Sequence, residues 1–328
     1  MNFIEDVMEQ SPASRLGIVA IDGDGNRRDW HFGELIACSA GLSGAFAARG
    51  VKRGDVVMTL VGNRIEWVLS LLACWRMGAV ALPCSTMLRR QDLALRVAAA
   101  DPKLCVGEDS LLAELPDAVA TMTMDEVGAA LDEDLPQETP APVEAMGAED
   151  PALIVFTSGT TGEPRGVVHA YRYLLGQRGQ AQHWFGVHRG ELAWCTTATG
   201  WSKSARNVFL APWLTGAAAV IHDGRCGLGR NLQYCLKLLG AGLIHVGMSC
   251  KVLGEVLDNS VALRLLDVGR FLQHFQNFVC PLSFGQLLCG NALGGVALTA
   301  NSLDQVLVGP VGQTLSARRD CSCGQCCC

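Results

Sequence analysis

An α/β fold, with doubly wound and mostly parallel sheets flanked by helices, is what this sequence predicts. Three observations point there. Between residues 30 and 106, stretches with helical apolar spacing alternate with short apolar runs, the order that places a crossover helix between parallel strands. The run Ala152-Leu153-Ile154-Val155-Phe156 empties into a loop rich in glycine and hydroxyl side chains. Of the 328 residues, 49% are hydrophobic, enough for a sizeable core.

Residues 32–49 set Leu35, Ala40, Leu42 and Phe46 at helical spacing and stop at Gly50, a suitable C-terminal cap. Residues 51–55 then turn into a short buried strand over 56–60. Asn63 stands where it would cap a helix over 66–77, which closes at Gly78 ahead of a strand over 79–83. One more helix is expected over 92–100 and one more strand over 104–106. Residues 132–150 hold Pro136, Pro140, Pro142 and many carboxylates, so they read as a solvated linker.

The loop after Phe156 reads Thr157-Ser158-Gly159-Thr160-Thr161-Gly162-Glu163-Pro164-Arg165-Gly166. Glycines let backbone fold closely around an anion, amides and hydroxyls donate inward, and Arg165 adds a fixed positive charge. This is not a Walker A loop, because no Lys-Ser/Thr pair follows Gly162, and the G-x-G-x-x-G dinucleotide pattern does not fit Gly159, Gly162 and Gly166. A plain surface turn is the bland alternative. The ten residues resemble the phosphate loop of the adenylate-forming enzymes, the acyl-CoA synthetases and their relatives, whose pattern is T-S-G-T-T-G-x-P-K-G. Only Arg165 departs from it, exchanging a mobile ammonium for a planar fork. Residues 50–56 and 78–83 resemble that family's G-V-x-x-G-D-x-V and G-A-V-x-x-P stretches in the same order.

A second block, 196–207, contains Gly200, Trp201 and Ser202. It resembles the family's Gly-Trp region, which shapes the acyl pocket, and within the family it looks most like the acetyl-CoA and medium-chain acyl-CoA synthetase branch. Trp201 serves equally well as pocket wall or core aromatic. A helix and a strand over 217–222 should follow. His169 has no carboxylate or nucleophile beside it in sequence, which favours a structural histidine over a general base.

Beyond residue 225 the text changes. Residues 271–303 contain no Asp, Glu, Lys or Arg, and ten of the fifteen cysteines lie in this tail, which ends Cys321-Ser322-Cys323-Gly324-Gln325-Cys326-Cys327-Cys328. Residues 231–240 and 243–246 still read as helix and strand. The family's Tyr-Gly-x-Thr-Glu segment, ribose-binding Asp and catalytic Lys have no counterpart in the chain. The expected organisation is therefore the N-terminal part of an AMP-dependent synthetase/ligase domain over 1–225 and an unassigned tail over 226–328, arising from a frame change, truncation or fusion. A metal site, a lipidated terminus or a membrane span over 279–300 are weaker readings of the tail.

What the resemblance implies is a ligase fragment that would join a small carboxylic acid to coenzyme A through an acyl-adenylate, using ATP, Mg²⁺ and CoA, and impaired as it stands. Thr157, Ser158, Gly159, Thr160, Thr161, Gly162, Arg165 and Gly166 would hold ATP phosphates, and Gly200, Trp201 and Ser202 would line the acyl pocket. No catalytic residue and no metal ligand is identified. The alternative is a non-catalytic interaction or membrane-associated protein acting through its tail. A net charge of −6 without a basic stripe argues against nucleic acid. Residues 1–10 carry Glu5, Asp6 and Glu9 and do not read as a signal peptide, so a cytoplasmic location is expected.

Overall fold

Short apolar strands whose side chains alternate between two faces need cover on both, and the chain supplies it with two sheets around a shared helical layer. A computed structural model describes residues 1–116, 119–132, 134–135, 138–157, 164–195, 197–201, 203–223 and, as backbone, 244–247. A π-helical turn, Ile4–Met8, leads to β1 (Leu16–Ile21), β2 (Arg27–His31), α1 (Phe32–Ala48), β3 (Val56–Leu60), α2 (Ile65–Arg76), β4 (Val80–Pro83) and α3 (Arg90–Ala100). Next come β5 (Leu104–Gly107), α4 (Asp109–Leu112), β6 (Thr121–Thr123), α5 (Met124–Leu131), β7 (Pro151–Thr157), β8 (Arg165–Ala170) and α6 (Tyr171–Gln180). The π-helical turns Ala181–Phe185 and Arg206–Leu210 flank β9 (Leu192–Cys195), and α7 (Ala211–Thr215), β10 (Ala218–His222) and β11 (Ile244–Gly247) complete the described elements.

Six strands form one sheet in the order β6-β5-β3-β4-β7-β8, and five form the other, β11-β9-β10-β1-β2. Neighbours run parallel except where the edge strands β2 and β8 pair with β1 and β7. Val57, Ala81, Leu104 and Val155 of the first sheet and Ile18, Ala219 and Ile221 of the second enter one large core with Leu42, Trp75 and Trp213 from the helices. Met58, Leu82, Cys105 and Ile154 face the other way, onto Leu93 and Leu112 of α3 and α4.

Two expectations fail. Asn63 does not cap α2: Arg64 holds the cap position without a side-chain bond, because the Asn63 Nδ2 donates instead to the Thr197 carbonyl at 3.3 Å. Nor are residues 132–150 simply solvated. Ala141 and Met146 are buried, the Ala141 N–H donates to Ser43 Oγ at 3.1 Å, and Arg76 Nε donates to the Ala141 carbonyl at 2.9 Å. Apolar residues among the prolines turn the segment into a strap across α1 and α2.

Helix α2 ends before Gly78, whose φ of +71° favours glycine and where a Cβ would stand 2.8 Å from the Met146 sulfur. The carbonyls that the helix end exposes must find donors. Asn2, fully buried, gives its Nδ2 to Trp75 O at 2.9 Å and Glu144 O at 2.8 Å, while its Oδ1 accepts the Ile4 N–H at 2.9 Å. The Tyr171 hydroxyl also donates to Trp75 O, and the Glu144 N–H donates to Arg76 O at 2.8 Å. Replacing Asn2 with Ala strips partners from buried backbone groups, so denaturant titration should show a loss of about 2 kcal/mol.

Candidate functional site

Parallel strands of one sheet end on one edge, and in open α/β sheets ligands bind beyond those carboxyl ends. Strand β7 ends at Thr157, which pairs in register with Arg165, and Thr157 Oγ1 lies 3.5 Å from the Arg165 carbonyl. The glycine-rich segment therefore links two antiparallel strands, β7 and β8. Arg165 and Gly166 are exposed and begin β8 rather than belonging to the loop, because pairing with Thr157 and Phe156 draws them into the ladder. Ser158, Gly159, Thr160, Thr161 and Gly162 lie outside the described residues, as does Ser202.

Residues 197–201 reach the same edge from the other side. Thr199 Oγ1 donates to the Val61 carbonyl, just past β3, at 2.8 Å. Gly200 has φ +83°, and a Cβ placed there would stand 2.3 Å from the backbone nitrogen of Ser85, just past β4. Since β4 lies between β3 and β7, the end of β7 and residues 197–201 lie at the ends of neighbouring strands. Trp201 is 60% exposed, which removes the reading of it as a core aromatic. The 61–64 and 84–85 turns were missed; the signal available was their position after parallel strands, where such a sheet builds its sites.

Charge is concentrated beside this edge. Arg64 pairs with Glu66 at 3.2 Å and with Asp223, which follows β10, at 3.3 Å. Burial pushes the Asp223 carboxyl above its ordinary range; Arg64 opposes the rise and Glu66 adds to it. His169 stacks on Tyr173 with ring centroids 4.1 Å apart, and burial together with the Arg206 charge lowers its proton affinity. Burial pushes the Cys84 thiol up to about 12 and Cys74 and Cys105 upward too, as expected of inert core cysteines. Cys38 and Cys195 are half-buried. Among the described residues no group of three or more His, Cys, Asp and Glu side chains converges to hold a metal ion.

Known proteins resemble this chain. The profile of the family described as AMP-binding enzyme matches residues 7–238. The chain is 27% identical over 248 residues to an uncharacterized acyl-CoA ligase of Bacillus subtilis, covering 71% of this chain and 46% of that protein. It is 30% identical over 244 residues to the mitochondrial acyl-coenzyme A synthetase ACSM3 of Mus musculus, covering 67% and 42%. It thus spans less than half the length of these curated relatives. Among solved structures, an acyl-CoA synthetase of Brucella canis superposes with a TM-score of 0.67 at 23% identity, over 75% of this chain and 47% of that one.

Two outcomes follow from the geometry. Gly200→Ala should lower stability by about 2 kcal/mol or more in chemical unfolding, since the methyl meets backbone and φ is positive. For His169 the folded value lies below the ordinary 6.5, so the unfolded chain binds the proton better and stability falls as pH drops through about 6.5. Unfolding midpoints compared at neutral and mildly acidic pH should show a smaller drop in His169→Gln than in the parent.

Proposed function

The chain belongs to the AMP-binding enzyme family, and on that premise we propose that it carries the phosphate-binding part of an ATP-dependent acyl-CoA synthetase. In the reaction a carboxylate oxygen attacks the α-phosphorus of ATP and pyrophosphate leaves. The thiolate of coenzyme A then attacks the acyl carbon and AMP departs. Residues 1–225 form the front of the synthetase domain in this reading, and 226–328 stay unassigned apart from β11, which extends the second sheet.

The observation that supports the proposal is that β7 ends at Thr157, directly before the glycine-rich segment, while Thr199 and Gly200 lie against the ends of β3 and β4, on the same side of the sheet. Amides and hydroxyls of Ser158, Thr160 and Thr161 hold the β- and γ-phosphates, the backbones at Gly159 and Gly162 approach closely, and Arg165 supplies the charge that stabilises the leaving pyrophosphate. The exposed indole of Trp201 gives the acyl group an apolar surface, with Gly200 fixing the turn beneath it. Mg²⁺ accompanies ATP in the family's reaction. Because the described residues offer no cluster of ligands for it, no step is assigned to the ion.

Full ligase turnover is not part of the proposal, since the sequence contains no match to the family's adenine, ribose and catalytic-lysine motifs. Calorimetric titration of the full chain with MgATP tests the reading. Arg165→Ala and Gly159→Ala should each weaken binding about tenfold, the scale of one lost charge-assisted hydrogen bond, while Arg165→Lys should keep most of it. Affinity unchanged in both variants would sink the phosphate-loop assignment, and robust acyl-AMP synthesis by the purified chain would overturn the claim of impairment.

A further inference from the structure

Strands β1, β10 and β9 begin at Leu16, Ala218 and Leu192, on the edge of their sheet opposite the one from which residues 197–201 emerge. A hollow of about 290 Å³ opens there, lined by Asp6, Ser11, Arg15, Arg178, Arg189 and Thr215 among others. An adjoining hollow of about 280 Å³ shares Arg15, Arg189 and Gly216, so the two form one groove. Three guanidinium groups and a single carboxylate, Asp6, line the first hollow, and Glu191 lines only the second. Asp6 is engaged by the Asn2 N–H at 2.9 Å.

Arg15 is fixed before any ligand arrives. Its Nη1 donates to Ser11 Oγ at 2.8 Å, its Nη2 to the carbonyls of Trp213 and Ala217 at 2.9 and 3.3 Å, and its guanidinium lies 4.4 Å from the centre of the Phe32 ring. Burial lowers its proton affinity and the charge of Arg189, which lines the same hollow, lowers it further. Arg178 and Arg189 are exposed and form no ion pair among the described residues. Capping accounts for Arg15 at the end of α7, but leaves the other two charges unanswered. Like charges gathered around a hollow are a cost that an anion offsets, and planar guanidinium forks match phosphate oxygens.

We propose that this groove is a second anion site, separate from the glycine-rich segment, that binds a small ligand carrying two or more phosphate charges. Its volume suits a pyrophosphate-sized group, standing at the lower end of small-molecule pockets.

Titration of the full chain with inorganic pyrophosphate tests this, in an Arg165→Ala/Gly159→Ala background that weakens the proposed phosphate loop about a hundredfold. Binding should persist there and weaken about tenfold or more in the added double variant Arg178→Ala/Arg189→Ala, with a shallower salt dependence. Asp6→Asn should tighten binding severalfold, a gain that misfolding does not produce. Binding abolished by the Arg165→Ala/Gly159→Ala pair alone, or unchanged by both the double arginine variant and Asp6→Asn, would overturn the proposal.

Discussion

The end of α2 is the point on which the rest of the architecture depends. A helix terminus leaves carbonyls without intrahelical partners, and here three distant parts of the chain answer them: Asn2 from the N-terminus, Glu144 from the strap and Tyr171 from the start of α6. The same turn sends out a donor, since the Trp75 indole N–H reaches the Ala152 carbonyl of β7 at 3.0 Å. Around the node Trp75 packs against Phe3 and Phe209, and Phe209 against Trp213. Satisfying one buried helix end thus ties both sheets and the amino terminus to a single helix.

That constraint reaches the candidate site through β7. The strand held at Ala152 by Trp75 runs on to Thr157, directly before the glycine-rich segment. On the other side, Thr199 and Gly200 fasten the second segment to the ends of β3 and β4. The described elements on either side of the candidate site are thus anchored to the sheet, where loops on α/β scaffolds generally carry binding groups. The parallel arrangement also explains why charge gathers on two separate edges: strand ends face one way and strand starts the other, and each edge has its own turns to furnish.

Much of this was readable from local pattern. Helical and strand periods between residues 32 and 106 depend on neighbours a few positions apart, so each expected element formed within two residues of its expected ends. The chemistry of Thr157 to Gly166 was likewise a property of ten consecutive residues, and the family profile over 7–238 agrees with the resemblance they suggested. Where the reading went wrong, a partner far along the chain intervened. Asn63 turned from its own helix to Thr197, Arg165 and Gly166 were drawn into a ladder with Thr157 and Phe156, and the prolines of the strap concealed buried Ala141 and Met146.

From sequence alone came the fold class and the family, because backbone period and side-chain chemistry are short-range properties. Tertiary structure decided that Gly200 must lack a side chain to lie against Ser85, that Asn2 closes a helix more than seventy residues away, and that three arginines scattered from position 15 to 189 share one groove. Those facts depend on which surfaces meet once the sheets close over their common helices, and no local pattern encodes that meeting.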